Sequence, residues 1–534
     1  MSNYEKFFED LTKCESDEKT RKCKLNPCPY EFHGYADPTR GILKEKTYGD
    51  VWEKQVCVWI LKNDPYWKTQ FKPESIMSTK DWGYGILNKE NQKIDLEDNY
   101  GIDLVAETRT NDGSEGEIWG IQAKCYTDPI PSNKIDPFLV GLDLPWTNVN
   151  NPNLIKKMDK GLLLITDEIQ SKIMRNKIKV NDPEIVIYGP DKLQTINLDW
   201  NDSLTPNSKT EIKIKDKRCH QQKALDDINK GWADNKRGKV VMACGTGKTL
   251  VGLWAAEQLE SKTTLVLVPS LSLINQIAIE WLSNSIKPIS PLFVCSDETM
   301  RNDMDQFVDD TSAVGFSVTT KVDDILNFFE KAPFENRVIF STYQSSERIE
   351  EAQSFGAPEF DLVIADEAHH CVGQDNSNFA RVVDDSKIKS AKKLFMTATP
   401  KYARKREKTM ARNVGIELVS MDDEEKFGPY FHILNFGDAI KQDLLSDYRV
   451  VINIVSQKEA LDLINKRRAV KHEESNLESD ALTISMMAGF IKTVEEYDLS
   501  HVITFHNKIK QAKDMATNLT QLFPTLSTKF TPEN

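Results

Sequence analysis

The 534-residue chain has no apolar run that reaches the roughly 18–20 residues a membrane-spanning helix requires, so no helical membrane span and no membrane partner are expected. Its opening, MSNYEKFFEDLTK, has neither a basic leader nor an apolar core, which excludes a recognisable secretory signal. Cysteine is sparse: nine residues lie scattered, most in apolar or motif contexts, a usage that fits a reducing compartment and an intracellular, cytoplasmic location. There is no repeat at solenoid periods and no low-complexity tract. Positive charge is also in deficit. A net charge of −13 argues against a generally basic nucleic-acid binder, although binding follows local potential rather than the total. One local track stands out, KYARKREKTMAR (401–412), with six Lys or Arg against a single Glu. A solvated helix face is the simpler account of it.

What is present is ordinary globular composition, 39% apolar and 28% charged, on a chain too long for one core; about three domains are expected. Residues 1–40 are polar. From Tyr48, YGDVWEKQVCVWILKND has a helical apolar rhythm. GIDLVAETRTNDGSEGEIWGIQAKCY (101–126) reads as two strands joined by a turn, and GLLLITDE (161–168) and EIVIYGP (184–190) as two further buried strands. NDSLTPNSKTEIKIKDK (201–217) is a polar linker. Strand–helix alternation follows: KVVMA, TTLVLVPS, RVIFSTYQ, DLVIADE and KKLFMTAT are short buried strands, the pattern of an α/β domain with a mostly parallel sheet covered by helices. A second alternating region runs from YRVVINIV (448–455) to HVITFH (501–506).

MACGTGKT (242–249) follows the strand KVV and opens a helix. Such a loop wraps backbone N–H groups around phosphate oxygens, and the helix dipole adds to the attraction. Gly245, Thr246 and Gly247 form the cradle. Lys248 can reach the β- and γ-phosphates, and Thr249 can ligate Mg²⁺. The strict pattern asks for Gly where Met242 stands. DLVIADEAHH (361–370) supplies the acid at the end of a buried strand. Asp366 can hold Mg²⁺ through water, Glu367 can polarise the attacking water, and His369 can bridge to the next motif. ATP and Mg²⁺ are the cofactors expected.

The strand pair 101–126 carries polar residues where apolar ones would pack better. Alternation puts Gly120, Gln122 and Lys124 on one face and Trp119, Ile121 and Ala123 on the other. Asp103 on the neighbouring strand completes a carboxylate, an amide oxygen and an ammonium around one point. The group can hold Mg²⁺ on Asp103, the Gln122 oxygen and the Ala123 carbonyl, with Lys124 orienting a water and stabilising developing phosphorane charge. Polar residues at a strand edge are the bland alternative. Near the N-terminus, Cys14, Cys23, Cys28 and His33 are spaced x8, x4 and x4. Four such ligands could bind Zn²⁺ tetrahedrally, though a polar leader without metal is the simpler account.

In order, the motifs resemble those of the superfamily 2 helicase and translocase motors. RCHQQKA (218–224) is similar to their glutamine motif, and the resemblance implies that Gln221 reads the adenine. LVPSLSLINQ (267–276) and STYQS (341–345) resemble loops that touch the nucleic-acid backbone. MTATP (396–400) resembles the motif that couples hydrolysis to strand movement, and HVITFHNKIKQA (501–512) the first motif of a second RecA-like domain. The family's fifth and sixth motifs, with their arginine fingers, have no counterpart, so a fragment of a longer protein, or a motor completed by a partner, is expected. GIDLVAE…IQAK resembles the Mrr-like branch of the PD-(D/E)xK nucleases, in which Gln replaces the usual acid. Glu53 on YGDVWEKQV matches the position from which that family adds another carboxylate; a surface helix residue is the alternative.

The combination resembles the N-terminal part of single-polypeptide, type I-like (type ISP) restriction enzymes. It implies a polar leader (1–40), an Mrr-like endonuclease domain (41–200), a linker (201–217), a first RecA-like domain (218–440) and the start of a second, incomplete one (441–534). The activity implied is an ATP-dependent DNA translocase linked to a Mg²⁺-dependent endonuclease in restriction or anti-phage defence, acting on double-stranded DNA. A methyltransferase and target-recognition module, on a longer chain or a partner subunit, is implied with it. A remodelling ATPase with a non-cleaving nuclease-like domain, or an inactive nucleic-acid sensor, are the competing accounts.

Overall fold

The computed structural model describes residues 52–87, 94–95, 99–195, 200, 214–295, 315–374, 378–404 and 418–451, with Phe7, Arg406, Thr409 and short stretches between 486 and 517. The chain forms two compact units that part at Leu445/Ser446. Cys14, Cys23, Cys28 and His33 lie outside the described residues, as does half of the basic run 401–412.

The first unit begins with a five-stranded sheet: β1 (Met77–Ser78), β2 (Leu104–Glu107), β3 (Ile118–Lys124), β4 (Lys160–Ile165) and β5 (Ile185–Tyr188), in spatial order β1-β2-β3-β4-β5. β1 to β3 are antiparallel, and β3 to β5 are parallel. The turn between β2 and β3 follows from its NDG: the Asp112 carboxylate accepts from Ser114 N at 2.9 Å, and Gly113 takes φ 74°. Alternation then divides the side chains. Leu104, Ala106, Ile121, Ala123, Leu162 and Leu164 join one core with Cys57, Ile60 and Leu61 of the helix Cys57–Asn63. Val105, Leu163 and Ile165 face the other way, toward Phe138, Leu139 and Leu142 of the helix Asp136–Asp143. Sequence periodicity did not anticipate a small antiparallel sheet (Tyr84–Leu87, Ile94–Asp95, Trp146–Asn148, Ile155–Lys156); its strands are too short to show a period.

The second sheet has eight parallel strands: β6 (Arg237–Met242), β7 (Thr263–Val268), β8 (Ile289–Val294), β9 (Val318–Thr319), β10 (Asn336–Thr342), β11 (Phe360–Ala365), β12 (Ser390–Thr397) and β13 (Tyr430–Leu434). Their order is β9-β8-β10-β7-β11-β12-β6-β13. β6, β7, β10, β11 and β12 are the five runs expected from sequence. β8 was not, because Pro291 deprives it of one ladder donor, and β13 was not, because YFHIL is short and mixed. Both faces are covered. Val266, Val268 and Ile364 pack with Trp254 and Trp281 of the helices Lys248–Gln258 and Leu271–Asn284, while Leu265, Leu267 and Val363 face the second core. The two sheets belong to one body: the Tyr66 ring lies 4.3 Å from Phe316 and 5.7 Å from Phe293 of β8. Lys160 Nζ donates to Ser317 Oγ at 3.0 Å, and Ser317 Oγ donates to Glu184 at 2.9 Å.

Of the second alternating region expected from YRVVINIV to HVITFH, residues 452–485 lie outside the described residues. Residues 448–451 and 501–506 carry no regular structure, and no strand occurs among the described residues of the second unit. Val450, Ile503 and Phe505 are 76%, 81% and 93% exposed. β-Propensity alone makes no strand: the backbone donors and acceptors need a neighbouring strand, and among the described residues none pairs with these segments.

Candidate functional site

The nucleotide motifs meet at the C-terminal ends of β6, β11 and β12. The loop after β6 turns on Gly245 and Gly247, at φ 82° and 85°, a region that costs a residue with a Cβ. A Cβ on Gly247 would also lie 2.3 Å from Gln221 Nε2, so a side chain there would have to displace that amide as well. Thr246 is turned inward, its hydroxyl donating to Ala243 O at 2.7 Å. Lys248, 9% exposed, donates to Met242 O at 3.2 Å and lies 3.9 Å from Glu367 Oε1. Thr249 O accepts from Trp281 Nε1, which anchors the first helical turn. Gln221 is buried and used on both sides: its oxygen accepts from Arg218 N at 2.9 Å and its Nε2 donates to Thr246 O at 3.3 Å. The amide expected to read a base here braces the phosphate loop, beside His220 Nε2, which is 2.9 Å from the same carbonyl.

Asp366 follows β11, its N–H donating to Leu267 O at 2.9 Å. Burial, and then the neighbouring Glu367 charge, raise its carboxyl to about 6 against the pull of Lys248. Glu367 has the opposite balance. Burial pushes it up, but the His369 hydrogen bond and the Lys248 charge outweigh that and hold it below its ordinary value. His369 Nδ1 lies 3.3 Å from Glu367 Oε2 and 3.0 Å from Thr397 Oγ1 at the end of β12. A continuous polar chain therefore runs Lys248–Glu367–His369–Thr397, through residues more than a hundred positions apart.

At the other centre, the register Leu104↔Ile121, extended by one residue, sets Asp103 opposite Gln122. Asp103 is 8% exposed; its Oδ2 accepts from Ala123 N at 2.9 Å and lies 3.5 Å from Lys124 Nζ. Asn99 Nδ2 donates to Oδ1 at 3.4 Å, a contact no sequence signal announced. Burial raises the Asp103 carboxyl above its ordinary range, opposed by Lys124 and the Ala123 N–H. Gln122 is 1% exposed; its Nε2 donates to Lys134 O at 3.3 Å, and its Oε1 is buried without a partner. An orphaned buried acceptor beside a carboxylate fits a hard cation. The turn Trp52–Val56, which carries half-buried Glu53, packs against β3. Among the described residues no cluster of three or more His, Cys, Asp or Glu side chains is placed to hold a metal, so any cation here would rest on one carboxylate and uncharged oxygens unless Glu53 joins them.

Residues 62–210 match the model of a restriction endonuclease family, Mrr_cat_2, and residues 214–402 match that of the type III restriction enzyme res subunit, ResIII. Among solved structures, the chain is similar to the ATP-dependent Type ISP restriction-modification enzyme LlaBIII bound to DNA, with 28% identity and a TM-score of 0.64 over 83% of this chain. A nuclease-deletion mutant of the Type ISP enzyme LlaGI, in complex with a DNA substrate mimic, matches over 60% of the chain and 30% of its own, with 26% identity and a TM-score of 0.34. No curated protein matches the sequence. The chain spans 27% of LlaBIII. No helix among the described residues is long and apolar enough to cross a membrane. Families of these two kinds imply ATP and, typically, Mg²⁺. The chain thus carries an Mrr-like restriction endonuclease domain followed by a ResIII helicase-type ATPase domain, and it is similar in structure to Type ISP restriction-modification enzymes.

Proposed function

We propose that the protein is an ATP-dependent translocase on double-stranded DNA with a linked Mg²⁺-dependent endonuclease, acting in restriction. The observation that carries this is the presence of both polar constellations in one body, in a chain similar to LlaBIII over 83% of its length. In the motor, Gly245, Thr246, Gly247 and Lys248 would bind the phosphates, and Thr249 and Asp366 the Mg²⁺. Glu367 would take the proton of the attacking water, steadied by His369, which passes the state of the site to Thr397. Gln221 would brace the phosphate loop, with adenine recognition requiring it to release Thr246.

In the endonuclease, Asp103 and the Gln122 oxygen would hold Mg²⁺, with Glu53 as an added carboxylate. When bound, the cation supplies Lewis-acid polarisation of the scissile phosphate. Lys124, 3.5 Å from Asp103, would orient the water and offset charge gathering on the phosphoryl oxygens. A methyltransferase and target-recognition partner belongs to the same proposal, as does an intracellular site of action. Incubation of the chain with circular duplex DNA tests it: strand cleavage should require Mg²⁺ and ATP and stop with EDTA. Cleavage indifferent to chelation would sink it.

A further inference from the structure

Tyr343 lies just beyond β10, within STYQS, and is fully buried. Its N–H continues the ladder by donating to Val268 O at 3.0 Å, at the end of β7. Its hydroxyl then reaches past β7 to β11 and donates to the main-chain carbonyl of Asp366 at 2.7 Å. The ring stacks on Phe379, centroids 5.5 Å apart, and Ser346 Oγ donates to the Tyr343 carbonyl at 2.6 Å. One rigid side chain therefore ties the 342–346 loop to the peptide that joins Asp366 to Glu367.

That peptide is under constraint. Glu367 sits at φ 47°, ψ 47°, a left-handed conformation unfavourable for a residue with a long side chain. In this conformation its carboxylate faces both Lys248 and His369. Rotation of the Asp366–Glu367 peptide would relieve the backbone and carry the carboxylate away from both. Asp366 N–H on Leu267 O fixes the residue at the end of β11, and the Tyr343 hydroxyl on Asp366 O opposes the rotation itself.

We propose that Tyr343 is a positioning residue for Glu367: its hydroxyl holds the Asp366 carbonyl and so keeps Glu367 aimed at the nucleotide site, mechanically joined to the 342–346 loop. The inference rests on the motor function proposed above for its catalytic consequence, and on geometry alone for the positioning itself. A nucleic acid that moves the 342–346 loop would thereby move Glu367.

Tyr343→Phe removes the hydroxyl and keeps the ring. In hydrogen exchange on the full chain, the amides of 366–371 should exchange about tenfold faster in this variant, the loss expected for one buried hydrogen bond. In ATP hydrolysis with duplex DNA, kcat should fall about tenfold and KM stay within about twofold. Phe379→Leu, which trims the stacking partner and keeps the hydroxyl, should leave both readouts near wild type. Unchanged exchange in Tyr343→Phe overturns the proposal. So does a raised KM with kcat intact, because the hydroxyl would then serve nucleotide binding, and so does an equal loss in Phe379→Leu, which would make the effect one of packing. If the wild-type chain hydrolyses no ATP, the kinetic arm falls away and the exchange comparison alone decides the role of Tyr343.

Discussion

The two centres of this body are built differently. At the nucleotide centre Lys248, Glu367 and His369 already have partners: Lys248 faces Glu367, Glu367 faces His369, and His369 reaches Thr397. At the nuclease centre Asp103 is held by Ala123 N and Lys124, but the Gln122 oxygen is buried with nothing to accept from. Leaving such an acceptor unmet costs about 1–3 kcal/mol, and native structures retain few of them. The first site is paired within itself; the second keeps an unmet acceptor that the proposed cation would satisfy. Both lie in one compact unit, in which Tyr66 packs on Phe293 and Phe316.

The sharpest way to break the comparison is to disable one centre and examine the other. Asp103→Ala should lower Mg²⁺-dependent cleavage by at least about 10³-fold, because it removes the carboxylate from the site. Its affinity for a fluorescent ATP analogue should stay within about twofold of wild type. Lys248→Ala should weaken analogue binding about 10²-fold, the value of a charge-assisted contact to phosphate. Titrations of the two variants side by side check both. Weakened ATP binding in Asp103→Ala would show that the centres are not separable.

The difference between the centres also decided what could be read from sequence. The motor motifs are contiguous, each closing a strand of Val, Leu and Ile, so that MACGTGKT and DLVIADEAHH identify position and chemistry together. Parallel strands buried on both faces read as apolar runs, and five of the eight were legible that way. β8, β9 and β13 were not, for want of such a run. At the nuclease centre the D…QxK register was legible from alternation. The support from Asn99, and the Lys134 carbonyl that holds Gln122, come from loops whose approach no local pattern encodes. Tyr343 is similar: nothing in STYQS tells that its hydroxyl will cross β7.

A second break concerns preorganisation at the motor. Gly247→Ala puts a Cβ at φ 85° and 2.3 Å from Gln221 Nε2, so either the loop or Gln221 must shift. The backbone change costs about 1–2 kcal/mol. Analogue binding should weaken roughly tenfold or more, and the melting temperature should drop by a few degrees. Gly113→Ala, also at positive φ but with nothing within 4 Å, is the control: it should lower stability alone and leave binding untouched. Equal binding by the two variants would mean that the cradle is not preformed.

The smallest effect tests the deficit itself. Gln122→Met replaces the amide with an unbranched apolar chain of similar length, in a site that is 1% exposed. It removes the orphaned acceptor and gives up only the 3.3 Å bond to Lys134 O, whose residue is exposed and whose carbonyl water can satisfy. Without Mg²⁺ the variant should therefore be as stable as wild type or more stable by about 1 kcal/mol, read as denaturant midpoint. With Mg²⁺ the order should narrow or reverse. A cation that binds only the folded wild type stabilises it by RT ln(1 + [Mg²⁺]/Kd), a gain the methionine variant cannot share in full. A variant clearly less stable than wild type in EDTA would show that the Gln122 oxygen is satisfied, and the contrast between a prearranged motor site and a cation-dependent nuclease site would fall with it.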